Sequence, residues 1–245
     1  MKNFRISLIL LFLSIRVFTS EDVFSQSITV GFNAGIGTYS MTGLKQLQLY
    51  RIDFVGLPAE VVEDFPPYWN SGFELGVALP RFPSRLTLFY QYASTGARVS
   101  SWDYSGEMHL DLIANCNQLG ANIEQDFFHR QFFSIGAGLK VSYLTTEVKT
   151  VDYLRINNES REERARLISR GAGVEPGISA GFKVAFFRFA LYGGYLWGFS
   201  EGLRLPGIPK VYLKLPTDEN VSPDWSGWRA MIKVNVLIPL KKKSK

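Results

Sequence analysis

The chain is poor in the residues from which metal centres and disulfides are built. Its 245 residues include one cysteine, Cys116, and two histidines, His109 and His129. A single cysteine cannot form an internal disulfide, and thiolate metal sites need several cysteines. No acidic loop has the spacing of a calcium site. We therefore predict no metal and no cofactor.

The chain also lacks a long apolar run after its N-terminal segment. A membrane-spanning helix needs about 20 predominantly apolar residues, and no later stretch approaches that length. A membrane location would therefore require a closed β-sheet, which is the other structure that satisfies every backbone polar group in lipid.

A single basic stripe is absent as well. The formal net charge is +5, but the lysines and arginines are scattered and interleaved with acidic residues, apart from the basic C-terminal tail at 241–245. Nucleic-acid-binding proteins concentrate their basic residues on one face. We therefore predict no nucleic-acid partner.

The N-terminal 25 residues have the pattern of a signal peptide. Lys2 and Arg5 precede an apolar stretch from Ile6 to Ile15, and Val23-Phe24-Ser25 resembles a cleavage site. We expect residues 26–240 to form one domain, because all-β barrels commonly reach this length as a single unit.

What the sequence has in abundance is alternation between apolar and small or polar residues. Every second residue from Phe133 to Tyr143 is apolar, with serine, glycine or lysine between, which is the period of a β-strand. The same alternation predicts eight strands, near 27–40, 68–79, 86–92, 106–126, 133–143, 174–186, 188–199 and 228–238.

Two of these strands contain irregular features. In the fourth strand the apolar positions change from even numbers, as at Leu112, to odd numbers, as at Leu119. A change of parity within a strand predicts a β-bulge, here between Ile113 and Gln118. Pro176 cannot donate a ladder hydrogen bond, so we expect a local irregularity or a rim there.

The connections between the strands alternate between long and short. Segments 41–67, 96–106, 148–170 and 200–226 are long, whereas 80–84, 127–130 and 186–188 are short. This alternation is typical of an outer-membrane barrel with short periplasmic turns and long outer loops. The residue spacing within 41–49 and 159–167 allows short helical stretches, and a solvated polar face without such structure is the alternative.

The fold predicted from these patterns is all-β, a closed antiparallel up-and-down transmembrane β-barrel of about eight strands. Glycines are concentrated on the less apolar face, which suits the interior of a narrow barrel, so we expect the apolar face to contact lipid. A soluble lipocalin-like barrel with its apolar face inward is the alternative. Aromatic residues expected at the membrane interfaces are Tyr68, Trp69, Trp197, Phe199, Trp225 and Trp228.

Charged residues on the less apolar face predict a paired interior network, because unpaired buried charges are very costly. This network is expected to contain Glu74, Glu107, Asp111, Lys140, Glu175, Lys183, Arg229 and Lys233.

A second group of polar residues lies at the start of the fourth strand. Ser105, His109 and Asp111 share one face and supply a hydroxyl, an imidazole and a carboxylate, so they are candidate catalytic residues of a lipid-modifying enzyme. No Gly-x-Ser-x-Gly elbow surrounds Ser105. Arg98, Asp103 and Glu107 are candidate ligand-binding residues, or else the ion pairs of an ordered hairpin.

Several short motifs resemble a known family. Phe65-Pro66-Pro67-Tyr68, Ser94-Thr95-Gly96-Ala97-Arg98, Asp103-Tyr104-Ser105-Gly106-Glu107 and the run at 37–45 are similar to motifs of a family of uncharacterised outer-membrane β-barrel proteins of Bacteroidetes-type Gram-negative bacteria. The resemblance implies a barrel fold and an outer-membrane location. It implies no reaction.

These patterns together predict an integral outer-membrane protein without a wide pore. We expect a structural, binding or small hydrophobic-solute transport role. The expected partners are outer-membrane lipids, lipopolysaccharide and the barrel assembly machinery, with the protein itself a monomer. A lipid-modifying enzyme and a soluble periplasmic binding barrel are the alternatives.

Overall fold

The structure, a computed structural model, describes residues 27–55, 60–79, 84–102, 106–130, 132–156, 159–208 and 211–240. The predicted signal peptide at 1–25, the basic tail at 241–245, Asp103 and Ser105 lie outside these residues. The described elements are β1 (Ser27–Gly37), α1 (Thr42–Val55), β2 (Glu60–Asp64), β3 (Tyr68–Leu79), β4 (Ser84–Trp102), β5 (Gly106–His129), β6 (Phe133–Ile156), β7 (Glu159–Val184), β8 (Phe187–Ser200) and β9 (Gly227–Pro239).

Eight of the strands form a ring. The strand order is β4-β3-β1-β9-β8-β7-β6-β5, with every neighbouring pair antiparallel, and a further pairing between β4 and β5 completes the circle. The short strand β2 pairs with the part of β4 that extends past β3. The prediction of an all-β, antiparallel, up-and-down sheet of eight strands is confirmed.

The apolar side chains of the alternating pattern point away from the ring. In β1 the side chains of Val30, Phe32 and Ile36 are nearly half exposed, whereas Thr29 and Asn33 between them are buried. The same arrangement recurs in the lower parts of the other ring strands, where "lower" denotes the end with the short turns. The polar face of each strand therefore lines the interior.

The parity change in β5 is not a bulge, so that prediction is wrong. The pairing of β5 with β4 and β6 is continuous through 113–118, and the one register shift described for β5 lies between Asp126 and Phe128. Even-numbered residues of β5 point inward from Met108 down to Asp126. The environment changes instead: the upper interior is apolar and the lower interior is polar.

Two predicted long loops are mostly strand. Residues 96–102 continue β4, and residues 148–156 and 159–170 continue β6 and β7, so the helical stretch predicted at 159–167 is also wrong. Cross-strand ion pairs support these extensions, for example Arg166 with Glu147 at 2.7 Å. Charged segments of this kind suit a solvated hairpin as well as a solvated helix.

The predicted irregularity at Pro176 and the predicted helix near 41–49 are both present. The ladder between β7 and β8 is interrupted at residues 175 and 176, between the pairs Val174 with Trp197 and Gly177 with Gly194. Helix α1 directly follows Met41, and Met41 and Leu44 are completely buried.

The upper half of the ring is filled by an apolar plug. Helix α1 and the described parts of segment 201–226, residues 201–208 and 211–226, fold into the ring. Their side chains pack against inward-facing residues of β4 to β8, such as Ala114, Leu144 and Val148. Segment 201–226 therefore serves as interior packing as well as connecting β8 to β9.

Trp225 lies at the centre of this plug and is not an interfacial residue as predicted. It is completely buried, its Nε1 donates to Thr146 Oγ1 at 2.8 Å, and its ring meets that of Tyr39 edge to face at 5.0 Å. Segment 201–226 turns inward before β9 begins, which carries Trp225 into the ring. The remaining predicted interfacial aromatics are exposed: Tyr68, Trp69, Trp197, Phe199 and Trp228.

Replacing Trp225 should destabilise the protein strongly. Trp225→Ala is expected to lower the free energy of unfolding by about 3–5 kcal/mol, because it creates a large cavity in the plug. Equilibrium urea unfolding in detergent measures this loss. Trp102→Ala is the control, since Trp102 is 78% exposed, and equal losses in the two variants would contradict the packing described.

Candidate functional site

The lower interior contains a layer of charged side chains, named here the interior polar layer. It lies on the inward faces of β3 to β9 and is almost entirely shielded from solvent. Its members are Glu74, Arg85, Glu124, Asp126, Lys140, Glu175, Arg188, Arg229 and Lys233.

Glu124 on β5 is the most highly connected carboxylate of this layer. Its Oε1 accepts hydrogen bonds from Arg85 at 2.8 Å and from Arg188 at 3.0 Å, and from the hydroxyl of Ser179. Its Oε2 lies 3.6 Å from the Nζ of Lys233. Charge-assisted hydrogen bonds of this kind are stronger than neutral ones.

The contact between Glu124 and Lys233 crosses the ring. Four steps separate β5 from β9 in the eight-strand order, in either direction, so the two strands are opposite each other. Lys233 also approaches Glu74 of β3 at 3.5 Å. Side chains from opposite walls thus meet in the middle, which leaves no wide passage at this level.

A second carboxylate, Glu175, organises the other side of the layer. It accepts a hydrogen bond from Lys140 at 2.9 Å and lies 3.6 Å from the Nε of Arg229. The ring of Tyr192 lies between two cations, with the Nζ of Lys140 at 4.0 Å and that of Lys233 at 4.7 Å from its centroid. An aromatic face stabilises desolvated cations in this position.

The structure brings together five of the eight residues predicted for the interior network. Glu74, Lys140, Glu175, Arg229 and Lys233 belong to the layer, while Lys183 is exposed at the lower rim. Glu107 and Asp111 do not belong to it, because their odd-numbered positions on β5 point outward; their partners are Arg155 and Arg98.

Sequence reasoning missed four members of the layer: Arg85, Glu124, Asp126 and Arg188. Their positions are those of the inward face, and Arg85 is the register partner of Glu124. The two acids share the less apolar face of lower β5, opposite Leu119 and Ile123, so the alternation already placed them inward. The assumed bulge had a different effect, since it placed Glu107 and Asp111 on the inward face.

The proposed catalytic residues do not form a catalytic arrangement in the part of the chain that is described. Both oxygens of Asp111 accept hydrogen bonds from Arg98, at 2.6 and 2.7 Å. The ring of His109 stacks on that of Tyr153 at 4.5 Å. Asp111 is therefore occupied by a guanidinium and does not orient the imidazole.

The proposed binding group is divided as well. Arg98 pairs with Asp111 across the hairpin, while Glu107 pairs with Arg155 on β6 at 3.0 Å. These contacts fasten the upper hairpins to one another. They match the ordered-hairpin alternative more closely than a ligand site.

The upper end holds a cavity that sequence reasoning did not find, named here the loop-end pocket. Its volume is about 890 Å³, and it lies between α1, the upper parts of β5 to β7 and residues 205–214. Most of its lining is apolar, including Leu47, Met108, Leu110, Leu154, Leu167 and Leu213. The lining residues come from α1, three strands and the segment before β9, so no local sequence motif indicates the pocket.

A small polar group interrupts this apolar lining. The side chains of Arg51 on α1 and Asp152 on β6 are hydrogen-bonded to each other, and the Oδ1 of Asp152 is buried without a hydrogen-bond partner among the described residues. Ligand pockets commonly combine an apolar lining with a few such polar groups. The loop-end pocket can therefore accept an apolar ligand that carries a hydrogen-bond donor.

Metal and helical membrane features were sought in the same described residues. They contain no cluster of three or more histidine, cysteine, aspartate or glutamate residues that could hold a metal ion. No described helix is long and apolar enough to cross a membrane.

A scan against protein-family models and a search of curated proteins found no match for this chain.

The interior polar layer should depend strongly on Glu124. Glu124→Gln is expected to lower the free energy of unfolding by about 3–5 kcal/mol, because Arg188 and Lys233 remain buried with one carboxylate fewer. Urea unfolding in detergent at neutral pH measures the change. Glu162→Gln breaks a solvated pair with Arg164 and should cost at most about 1 kcal/mol; a similar cost for both would contradict the assignment.

Proposed function

We propose that this protein is an integral outer-membrane protein whose eight-strand ring is a transmembrane β-barrel. In this proposal the interior polar layer closes the barrel to ions, and the loop-end pocket binds an apolar ligand. The observation that carries the proposal is the outward-facing surface of the ring. Its residues are apolar in the lower parts of the long strands and polar above them.

Strand β6 illustrates the change most clearly. Its outward residues are apolar from Phe133 to Tyr143, and the next ones are Thr145, Glu147 and Lys149. The ten steps from Phe133 to Tyr143, at roughly 3.3 Å each and tilted by about 40°, give a band about 25 Å high. That is the height of the apolar band on outer-membrane barrels.

Aromatic residues lie at both margins of this band. Tyr90 and Tyr92 mark the upper margin, and their hydroxyls donate to Asn117 and Asn115 at 2.6 and 2.7 Å. Phe128 and Phe133 mark the lower margin, near the short turns. Tyrosine rings, with one apolar and one polar side, suit a membrane interface, and aromatic girdles flank the apolar band of outer-membrane barrels at both interfaces.

The interior argues against the lipocalin-like alternative. A soluble binding barrel would place its apolar face inward and a polar face in water. Here the lower interior holds the charged layer, and exposed outward residues include Phe73, Leu88, Ile178 and Leu191. An apolar surface of this extent requires a covering, which a bilayer supplies.

The upper outward surface of β6 and β7 suits contact with lipopolysaccharide. Just above the apolar band, Lys149, Arg166 and Arg170 point outward. Cations at this height can pair with phosphate groups of the outer leaflet. The outer-membrane assignment also rests on the family resemblance of the sequence.

The lipid-facing assignment is tested on one strand. Leu139→Lys, in the apolar band of β6, is expected to destabilise the protein in lipid vesicles by about 2–4 kcal/mol, because a charge near the bilayer centre is costly. Urea unfolding, followed by the band shift on unboiled gels, measures this change.

Thr145→Lys is the matched control, since Thr145 lies on the same outward face above the band. It should change stability by about 1 kcal/mol or less. Recovery of the unaltered protein entirely in the soluble fraction, without detergent, would overturn the proposal.

The pocket assignment has a separate test. Ala165→Trp should fill part of the loop-end pocket and weaken binding of an apolar fluorescent probe at least tenfold, as measured by fluorescence titration in detergent. Arg166→Trp, on the opposite face of the same strand, should leave binding unchanged. Equal affinities in both variants would show that the probe binds elsewhere.

A further inference from the structure

The guanidinium group of Arg229 is buried without a hydrogen bond. Arg229 is 2% exposed, and its Nε, Nη1 and Nη2 have no hydrogen-bond partner among the described residues. The carboxylate it approaches, that of Glu175, lies 3.6 Å from Nε. A guanidinium carries five N–H donors, and burial without acceptors is costly.

Two other buried donors lie beside the register partners of Arg229 on the neighbouring strands. Gly37 and Gly194 are the register partners of Arg229 on β1 and β8. The Nδ2 of Asn70 would lie 3.2 Å from a Cβ atom at Gly37, and the hydroxyl of Tyr192 would lie 2.7 Å from one at Gly194. Both polar atoms are buried and make no hydrogen bond of normal length among the described residues. The Tyr192 hydroxyl faces the carboxylate of Glu175, and the Asn70 side chain faces the hydroxyl of Tyr39.

The interior polar layer has an excess of positive charge. Its five cations are Arg85, Lys140, Arg188, Arg229 and Lys233, and its four anions are Glu74, Glu124, Asp126 and Glu175. Five minus four leaves one positive charge among the described members of the layer, of which Arg85 is the least buried cation, with 13% of its side chain exposed. Water could accept hydrogen bonds from Arg229, but it would not neutralise this charge.

We propose that Arg229, Asn70 and Tyr192 form a binding site for one small monovalent anion, such as a halide. The anion accepts hydrogen bonds from the guanidinium, the amide and the phenol, and it balances the charge of the interior polar layer. Tyr39 borders the site, with its ring centroid 5.6 Å from the Cζ of Arg229. The site is distinct from the loop-end pocket.

Diffraction can locate the anion directly. The protein is refolded from denaturant in sodium bromide, so that the buried site can fill during folding, and is crystallised in the same salt. We expect an anomalous bromide peak about 3.3 Å from the guanidinium nitrogens of Arg229. A map without bromide at Arg229 would overturn the proposal.

Anion-dependent stability provides the second test. Replacing sodium gluconate with sodium bromide at constant ionic strength should raise the urea midpoint of the unaltered protein, because the native state binds bromide and the unfolded chain does not. Arg229→Met should lose this increase. Lys183→Met removes the same charge at the exposed rim and should retain it.

The two tests decide the proposal even where a variant fails. Equal midpoints in both salts for the unaltered protein would overturn it, as would an undiminished increase in Arg229→Met. Should Arg229→Met fail to fold, the bromide map of the unaltered protein decides the question alone.

Discussion

The contact between Glu124 and the cations around it is the interaction on which the rest of the structure depends. A ring of eight strands is too narrow for an open channel and too wide to be filled by backbone alone. Glu124 reaches inward from β5 and meets Arg85, Arg188 and Lys233. Since Lys233 comes from the opposite wall, this cluster connects both sides of the ring and holds the polar faces of β4, β5, β8 and β9 toward the interior.

In the lower part of the ring, the polar face of each strand points inward and the apolar face points outward. This arrangement extends only over that lower part. Above it, the inward residues of β5 and β6 become apolar, as at Leu112 and Leu144, and α1 and Trp225 pack against them. The upper strands therefore resemble a small water-soluble domain built on the lower ring. The loop-end pocket lies in this upper part, where apolar side chains can face a ligand and remain accessible from solution.

The sequence predicted the strands well because alternation depends on neighbouring residues alone. The segments around Phe133 and Val174 lie where the period of two placed them. It predicted the upper hairpins poorly, because strands with charged residues on the outward face, such as Glu162 and Arg164, lack a clear apolar alternation. The candidate site was recovered in part. Lys140 and Glu175 lie on the inward face that the alternation predicted, whereas the assumed bulge placed Asp111 on the inward face although it points outward.

The sequence by itself determined the lower parts of the eight ring strands and the two faces of those parts, because side chains alternate strictly along any β-strand. Only the tertiary structure decided which charges meet, since Glu124 and Lys233 lie far apart in the chain and on opposite walls. The same holds for the burial of Trp225, which depends on the path of segment 201–226. The tertiary structure also explains the parity change in β5. The strand is regular there, and the interior that its even-numbered residues face changes from apolar to polar.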